Sequence, residues 1–152
     1  MALFPLCESA IRVREFIKLH SRYEFGYVSH AVCAAIKQIV REFDALLSQL
    51  EHLFNTNNLS LQKLVYLLQP SKNTLFALDR LTKRLCNHVG GKLLDILHGC
   101  LLEQGDPQSK ELLTHLLVEG SRPFLKMLSQ WIFRYVPLNS FKLSIRLIIG
   151  VN

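Results

Sequence analysis

The sequence predicts an all-α protein, an elongated bundle of about six or seven amphipathic helices. Leucines recur every three or four positions through most of the chain, and no run alternates apolar with polar residues as a half-buried strand would. Helix punctuation points the same way, in the turn-forming run Asn55, Thr56, Asn57, Asn58 and in Gly105-Asp106-Pro107. A composition of 49% hydrophobic and 20% charged residues in 152 is that of one globular domain able to bury a core.

The first helix is expected from about Glu8 to Arg22, with Ile11, Phe16 and Leu19 as its apolar contacts, and with Tyr23 to Gly26 as a break hinged at the glycine. The second, from about Tyr27 to Phe54, places Val28, Val32, Ala35, Ile39, Phe43, Leu46, Leu50 and Leu53 on one face. Lys37, Arg41, Asp44, Ser48 and Glu51 line the opposite face, which is either a wet surface or a lateral contact face; it is the candidate partner-contact stripe. A third helix starts near Asn58 or Ser60, carries Leu61, Leu64, Val65 and Leu68, and is expected to kink or break at Pro70.

Residues 72–87 continue with Leu75, Leu78, Leu81 and Leu85 as a core stripe, closed by a left-handed cap at Gly90 and Gly91. The next helix, residues 92–103, buries Leu93, Ile96, Leu97 and Leu101. Asp106 is then an N-cap with Pro107 as first helical residue, starting a helix that buries Leu112, Leu113, Leu116 and Leu117 and stops at Gly120. Pro123 opens a final helix anchored in the core by Phe124, Leu128, Trp131 and Ile132. Trp131, Phe124, Phe133 and Tyr135 could instead form an aromatic binding surface, with core packing the more frequent role at this spacing. No internal repeat or linker divides the chain.

Reactive constellations are weak. Cys86, His88, His98 and Cys100 are zinc-ligating types, but His98 and Cys100 diverge by about 200° on a helix and no C-x₂-C pair is present. Gly90-Gly91-Lys92 lacks the earlier glycine and the following Ser or Thr of a phosphate loop, so it reads as a helix break. His30 and Cys33 lie near the polar face of the second helix, where neither has the orienting environment of a nucleophilic pair. The expectation is no catalytic residue, no cofactor and no metal.

The net charge of +6 admits a nucleic-acid or acidic partner, yet the basic residues are scattered. The densest patch, Arg80, Lys83 and Arg84, has no interleaved aromatics, so nucleic acid is not the expected partner. Cys7, Cys33, Cys86 and Cys100 show no disulfide spacing, which fits a reducing compartment. The opening MALFPLCESA has no basic start and no stretch reaches the ~20 apolar residues that span a bilayer, so no membrane is expected.

Five phrases, FGYVSHAVCAAI, LLSQLEHLF, LSLQKL, GGKLLDILHGCLLEQGDPQSKELLTHLL and RPFLKMLSQWIFR, resemble the N-terminal region of the gamma-tubulin complex component family, in the same order and over most of residues 20–134. LSQLEHLF and LSLQKL favour its component 2 branch over component 3. The resemblance implies a non-enzymatic helical module that packs laterally on a component 3-like neighbour and serves microtubule nucleation at a microtubule-organising centre (centrosome or spindle pole) in the cytoplasmic cytoskeleton. Gamma-tubulin would be an indirect partner, because the family holds it through a separate C-terminal module. The alternative is a basic helical adaptor for an acidic protein or nucleic acid, with a cysteine-dependent or metal hydrolase third.

After Arg134 the family pattern stops. Residues 135–152, YVPLNSFKLSIRLIIGVN, carry Lys142 and Arg146 and no acidic residue, and Phe141, Leu143, Ile145, Leu147, Ile148 and Ile149 give them a strand-like character. Residues 1–134 are therefore expected to be the module and 135–152 a divergent tail of a truncated or alternative product. The competing reading is a terminal element that packs on the bundle.

Overall fold

The computed structural model describes residues 3–57 and 59–134, and among these the fold is all-α. Its α-helices are α1 (Leu3–His20), α2 (Gly26–Asn55), α3 (Leu61–Leu85), α4 (Gly91–Glu103) and α5 (Pro107–Arg134), with a 3-10 turn at Tyr23–Phe25. The fold class is the expected one; the count is five rather than six or seven, because two expected breaks lie inside continuous helices. The expected divergent tail, residues 135–152, lies outside the described residues.

Pro70 sits within α3. Its ring removes the amide that would bond the Tyr66 carbonyl, but Tyr66 and Pro70 are both exposed, so water can take that carbonyl's bond. Thr74 donates its hydroxyl to the Pro70 carbonyl at 3.2 Å on the same surface. Gly120 and Pro123 lie within α5. Gly120 is buried at a close approach of helices: a Cβ there would meet Val32 Cγ2 at 2.6 Å and Leu94 Cδ2 at 3.3 Å. It is a packing glycine, not a stop. Glu119, whose carbonyl has no Pro123 amide to accept from, lines an open groove.

Local signals explain the other boundaries. α1 begins five residues before Glu8, since a proline is tolerated in a first turn and Ser9 donates to the Pro5 carbonyl at 2.9 Å. Leu6, Ala10, Val13 and Phe16 form its buried face, whereas Ile11 and Leu19 are exposed, a correction to the expected contacts. Ser60 caps α3, accepting from the Lys63 amide at 3.3 Å, and Asp106 caps α5, accepting from the Ser109 amide at 3.0 Å and hydroxyl at 2.7 Å. Those Ser109 bonds, hydroxyl first, hold the Asp106 carboxyl below the usual range. Gly26 (φ 82°) supports the hinge into α2; Gly90 (φ 64°) precedes α4 rather than capping α3, which ends at Leu85.

The core is continuous across the helices. α2 packs most extensively on α5, α1 on α3 and α2, and α4 on α5. Val28, Val32, Ala35, Phe43 and Leu50 of α2 are buried with Ile39, Leu46 and Leu53 partly so, as the sequence predicts. Leu75, Leu78, Leu81 and Leu85 form the expected stripe of α3, while Leu61 and Val65 fall off that stripe and are exposed. Leu93 and Leu97 of α4 and Leu113 and Leu116 of α5 are buried; Ile96, Leu101, Leu112 and Leu117 pack partly buried against them.

Two polar links fix α1 on α3. His20 is buried between the rings of Phe16 and Phe25, with its nitrogens 3.2 Å from the Phe16 carbonyl and 3.0 Å from the Cys86 carbonyl. The buried Asp79 accepts from Arg12 Nε at 2.7 Å, Arg12 Nη2 at 3.1 Å and Lys83 Nζ at 2.8 Å. Burial pushes the Asp79 carboxyl up, but the bonds from Arg12 and Lys83 outweigh it and hold the group below its usual value. A carboxyl depressed on folding stabilises above its unfolded pKa of about 3.9 and loses that contribution as pH falls through the lower folded value. In urea titrations Asp79→Asn should therefore be less stable than wild type at neutral pH, with the gap closing in acid. A gap independent of pH would contradict the ion-pair account.

Candidate assembly surface

The stripe predicted on α2 is exposed along its whole length: Lys37, Arg41, Asp44, Ser48 and Glu51 all face solvent. Part of it is already occupied within the chain. Asp44 pairs with Arg14 of α1, and Ser48 donates to the Asp44 carbonyl at 3.2 Å.

Between α2 and α5 an open groove of about 750 Å³ is lined by Tyr27, Ala31, Ala34, Ala35 and Gln38 on one wall. Arg122, Pro123, Lys126, Met127 and Gln130, with Glu119, form the other. The alanines recur at i, i+3 and i+4, so the α2 wall is smooth and low, with Ala35 buried at its inner edge. Gly120 lets α5 approach α2 closely below the groove.

The end of α5 carries a second apolar flank. At 100° per residue Phe124, Leu125, Leu128, Trp131 and Ile132 fall within an arc of about 120°. All are exposed, Trp131 by 44% and Ile132 by 58%. The sequence places Phe124, Leu128, Trp131 and Ile132 in the core; the structure does not. α4 has 13 residues and α5 has 28, lengths of about 20 and 42 Å. Leu94, near the start of α4, already lies opposite Gly120, so α5 continues past the helix that would cover this flank. Tyr135 and the Phe133 side chain lie outside the described residues.

The chemical constellations do not assemble. Among the described residues no three His, Cys, Asp or Glu side chains converge as a metal site; Cys86 and His98 are exposed and Cys100 is buried, with Arg84 Nη1 3.2 Å from its sulfur. Cys33 is in the core, not near a polar face, and burial pushes its thiol up to about 12, leaving it protonated beside an exposed His30. Gly90-Gly91-Lys92 is the start of α4. In the basic patch Lys83 pairs with Asp79 and Arg84 with Glu103 at 2.7 Å. Among the described residues no helix is long and apolar enough to cross a membrane.

The family model for the gamma-tubulin complex component N-terminal region matches residues 1–140. The chain belongs to the gamma-tubulin complex component family. It is 37% identical to gamma-tubulin complex component 2 of Mus musculus over 137 residues, 87% of this chain and 15% of that protein. It is 31% identical to the spindle pole body component alp4 of Schizosaccharomyces pombe, covering 80% of this chain and 21% of that protein. Against human gamma-tubulin complex component 3 it is 30% identical, covering 84% of this chain and 16% of that protein. The chain thus spans about a fifth or less of these relatives, and its similarity favours component 2.

Within this gamma-tubulin complex component module, FGYVSHAVCAAI forms the α2 wall of the groove, and RPFLKMLSQWIFR forms the α5 wall together with the exposed flank. The groove itself escaped the sequence reading. Its one signal was the alanine spacing at 31, 34 and 35, which is silent in a pattern built on large apolar residues.

Proposed function

We propose that this chain is a non-enzymatic assembly module that packs side by side with a neighbouring gamma-tubulin complex component and so contributes to microtubule nucleation. Its place would be the cytoplasmic cytoskeleton, at a microtubule-organising centre such as the centrosome or spindle pole. The observation that carries this reading is the exposed flank of α5, Phe124 to Ile132, on a chain of this family. Contiguous exposed apolar side chains at helical spacing are what a partner helix covers. Lys37, Arg41, Asp44, Ser48 and Glu51 on α2 would be a second, polar contact face.

The neighbour in this reading is component 3-like, and gamma-tubulin is reached only through it. Residues 1–134 act as the module and 135–152 as a divergent tail. Co-expression with full-length component 3, with and without gamma-tubulin, tests this directly. The chain should co-purify with component 3 in both cases and should not retain gamma-tubulin alone. Saturable binding to isolated gamma-tubulin would refute the division of roles.

A further inference from the structure

We propose that the tip of the α2–α3 hairpin is a self-association surface, which a second copy of this chain covers with its own tip. Register places the tip. Arg12 of α1 donates to Asp79 of α3, and further along both helices His20 lies 3.0 Å from the Cys86 carbonyl, so α1 and α3 run parallel and Leu3 is level with about residue 70. Gln108 and Glu111 share a depression with Ile39 and Glu42, so α5 begins level with about residue 43 of α2. α4 meets α3 at Arg84, deeper in the body. Beyond that level, among the described residues, only α2 up to Asn55 and α3 from Leu61 continue, as a two-helix arm of about 15 Å.

The arm carries more apolar surface than two helices bury. Large apolar residues recur on α2 at 43, 46, 47, 50, 53 and 54, a stripe broader than the narrow seam of a two-helix contact. Leu50 and Leu68 are buried, but Leu47, Phe54, Leu61 and Val65 are exposed, Phe54 by 67% and Leu61 by 71%. These four share one side of the arm. Leu61 precedes Asp79 by five full turns, so it faces the lane that α1 fills further along, with Val65 about 40° away. On α2, Leu47 and Phe54 lie about 60° and 80° from Asp44, which pairs with Arg14 of α1, and toward the buried Phe43 and Leu50. The open face thus continues the seam that holds α1 against α2 and α3.

Charge and symmetry select the occupant. The chain carries +6, so two copies repel in most orientations. Residues 45–71 hold one acid and one base, Glu51 and Lys63, and are formally neutral with His52 uncharged. Two arms laid antiparallel bring neutral surface together and keep the charged bodies at opposite ends. They also close a four-helix bundle, in which each broad stripe gains the second neighbour that it lacks in one chain. The exposed Phe4 at the start of α1 then meets the tip of the other copy. The segment after Arg134 is poorly placed to compete, because Gln130 and Tyr27 line the groove at the opposite end of α2, about 30 Å along that helix from Leu47. This contact lies apart from the α5 flank, so it goes beyond the assembly reading and stands or falls without it.

Sedimentation velocity of the full chain at rising concentration is the test. A reversible monomer–dimer equilibrium should appear at roughly 10–100 μM, the range of a small contact. Backbone amide shifts on dilution should centre on Leu47, Phe54, Leu61 and Val65. Phe54→Gln with Leu61→Gln should weaken the dimer at least about tenfold, with the melting temperature at low concentration as the control for the fold. The same change on the α5 flank, Leu125→Gln with Ile132→Gln, should leave the dimer intact, and so should Ile145→Gln with Leu147→Gln in the tail. A chain that stays monomeric up to about 0.5 mM would overturn the proposal, as would dilution shifts centred away from the tip. So would a dimer that survives the tip variant, or one that is lost in the flank or tail variant, which moves the contact there.

Discussion

Leu78→Ala should lower the free energy of unfolding by about 3–5 kcal/mol, the loss associated with a truncated leucine whose cavity cannot collapse. Leu78 is 0% exposed and lies in the C-terminal half of α3, within the stripe Leu75, Leu81 and Leu85 and next to Asp79, which links α3 to Arg12 of α1. Its neighbours are held by helices on more than one side, so relaxation into the void is restricted. For a domain whose total stability is on the order of 5–15 kcal/mol, that loss is a large fraction of the whole. Urea denaturation followed by far-ultraviolet circular dichroism measures it. A loss below about 1 kcal/mol would mean that Leu78 is not a core residue.

Gly120→Val should cost about 3 kcal/mol, by overpacking rather than by cavity formation. Valine gains some helix propensity over glycine, about half a kcal/mol, but its Cβ meets Val32 Cγ2 at 2.6 Å. Val32 is buried and β-branched, with essentially one side-chain rotamer open to it in a helix, so it cannot swing away. The overlap outweighs the propensity. Val32→Ala alone leaves a void and is also destabilising, yet combining it with Gly120→Val exchanges volume across the α2–α5 seam. The double variant should lose clearly less than the sum of the two single losses. Additive losses would show that the two positions do not meet.

Much of the fold was legible because the signals were local. The apolar stripe of α2, the Ser60 and Asp106 caps and the leucines at 75, 78, 81 and 85 follow from side-chain spacing and capping chemistry alone. The misreadings share a different origin. Whether Pro70 breaks a helix depends on whether the orphaned Tyr66 carbonyl reaches water, and that is a property of the surface. A glycine that stops a helix and one that admits a neighbouring helix look alike in one sequence, and only the contact with Val32 tells that Gly120 is the second kind.

The candidate site was harder still. Helical spacing shows that Phe124, Leu128 and Trp131 share a flank, but not whether another helix covers it. Among the described residues α4 is too short to cover that flank, and residues expected in the core lie exposed on the surface. The α2 stripe from Lys37 to Glu51 was legible as exposed, while the pairing of Asp44 with Arg14 depends on how α1 packs.

Binding of the purified chain to full-length component 3, compared between wild type and Leu128→Glu with Trp131→Glu, tests the assembly account most directly. Both side chains are partly exposed, and the melting temperature of the variant is the control that separates loss of a desolvated contact from loss of the fold. The account predicts a complex on size exclusion with light scattering for the wild type and at least about tenfold weaker binding for the variant. A complex that forms equally well with both proteins, or no complex with either, would contradict it.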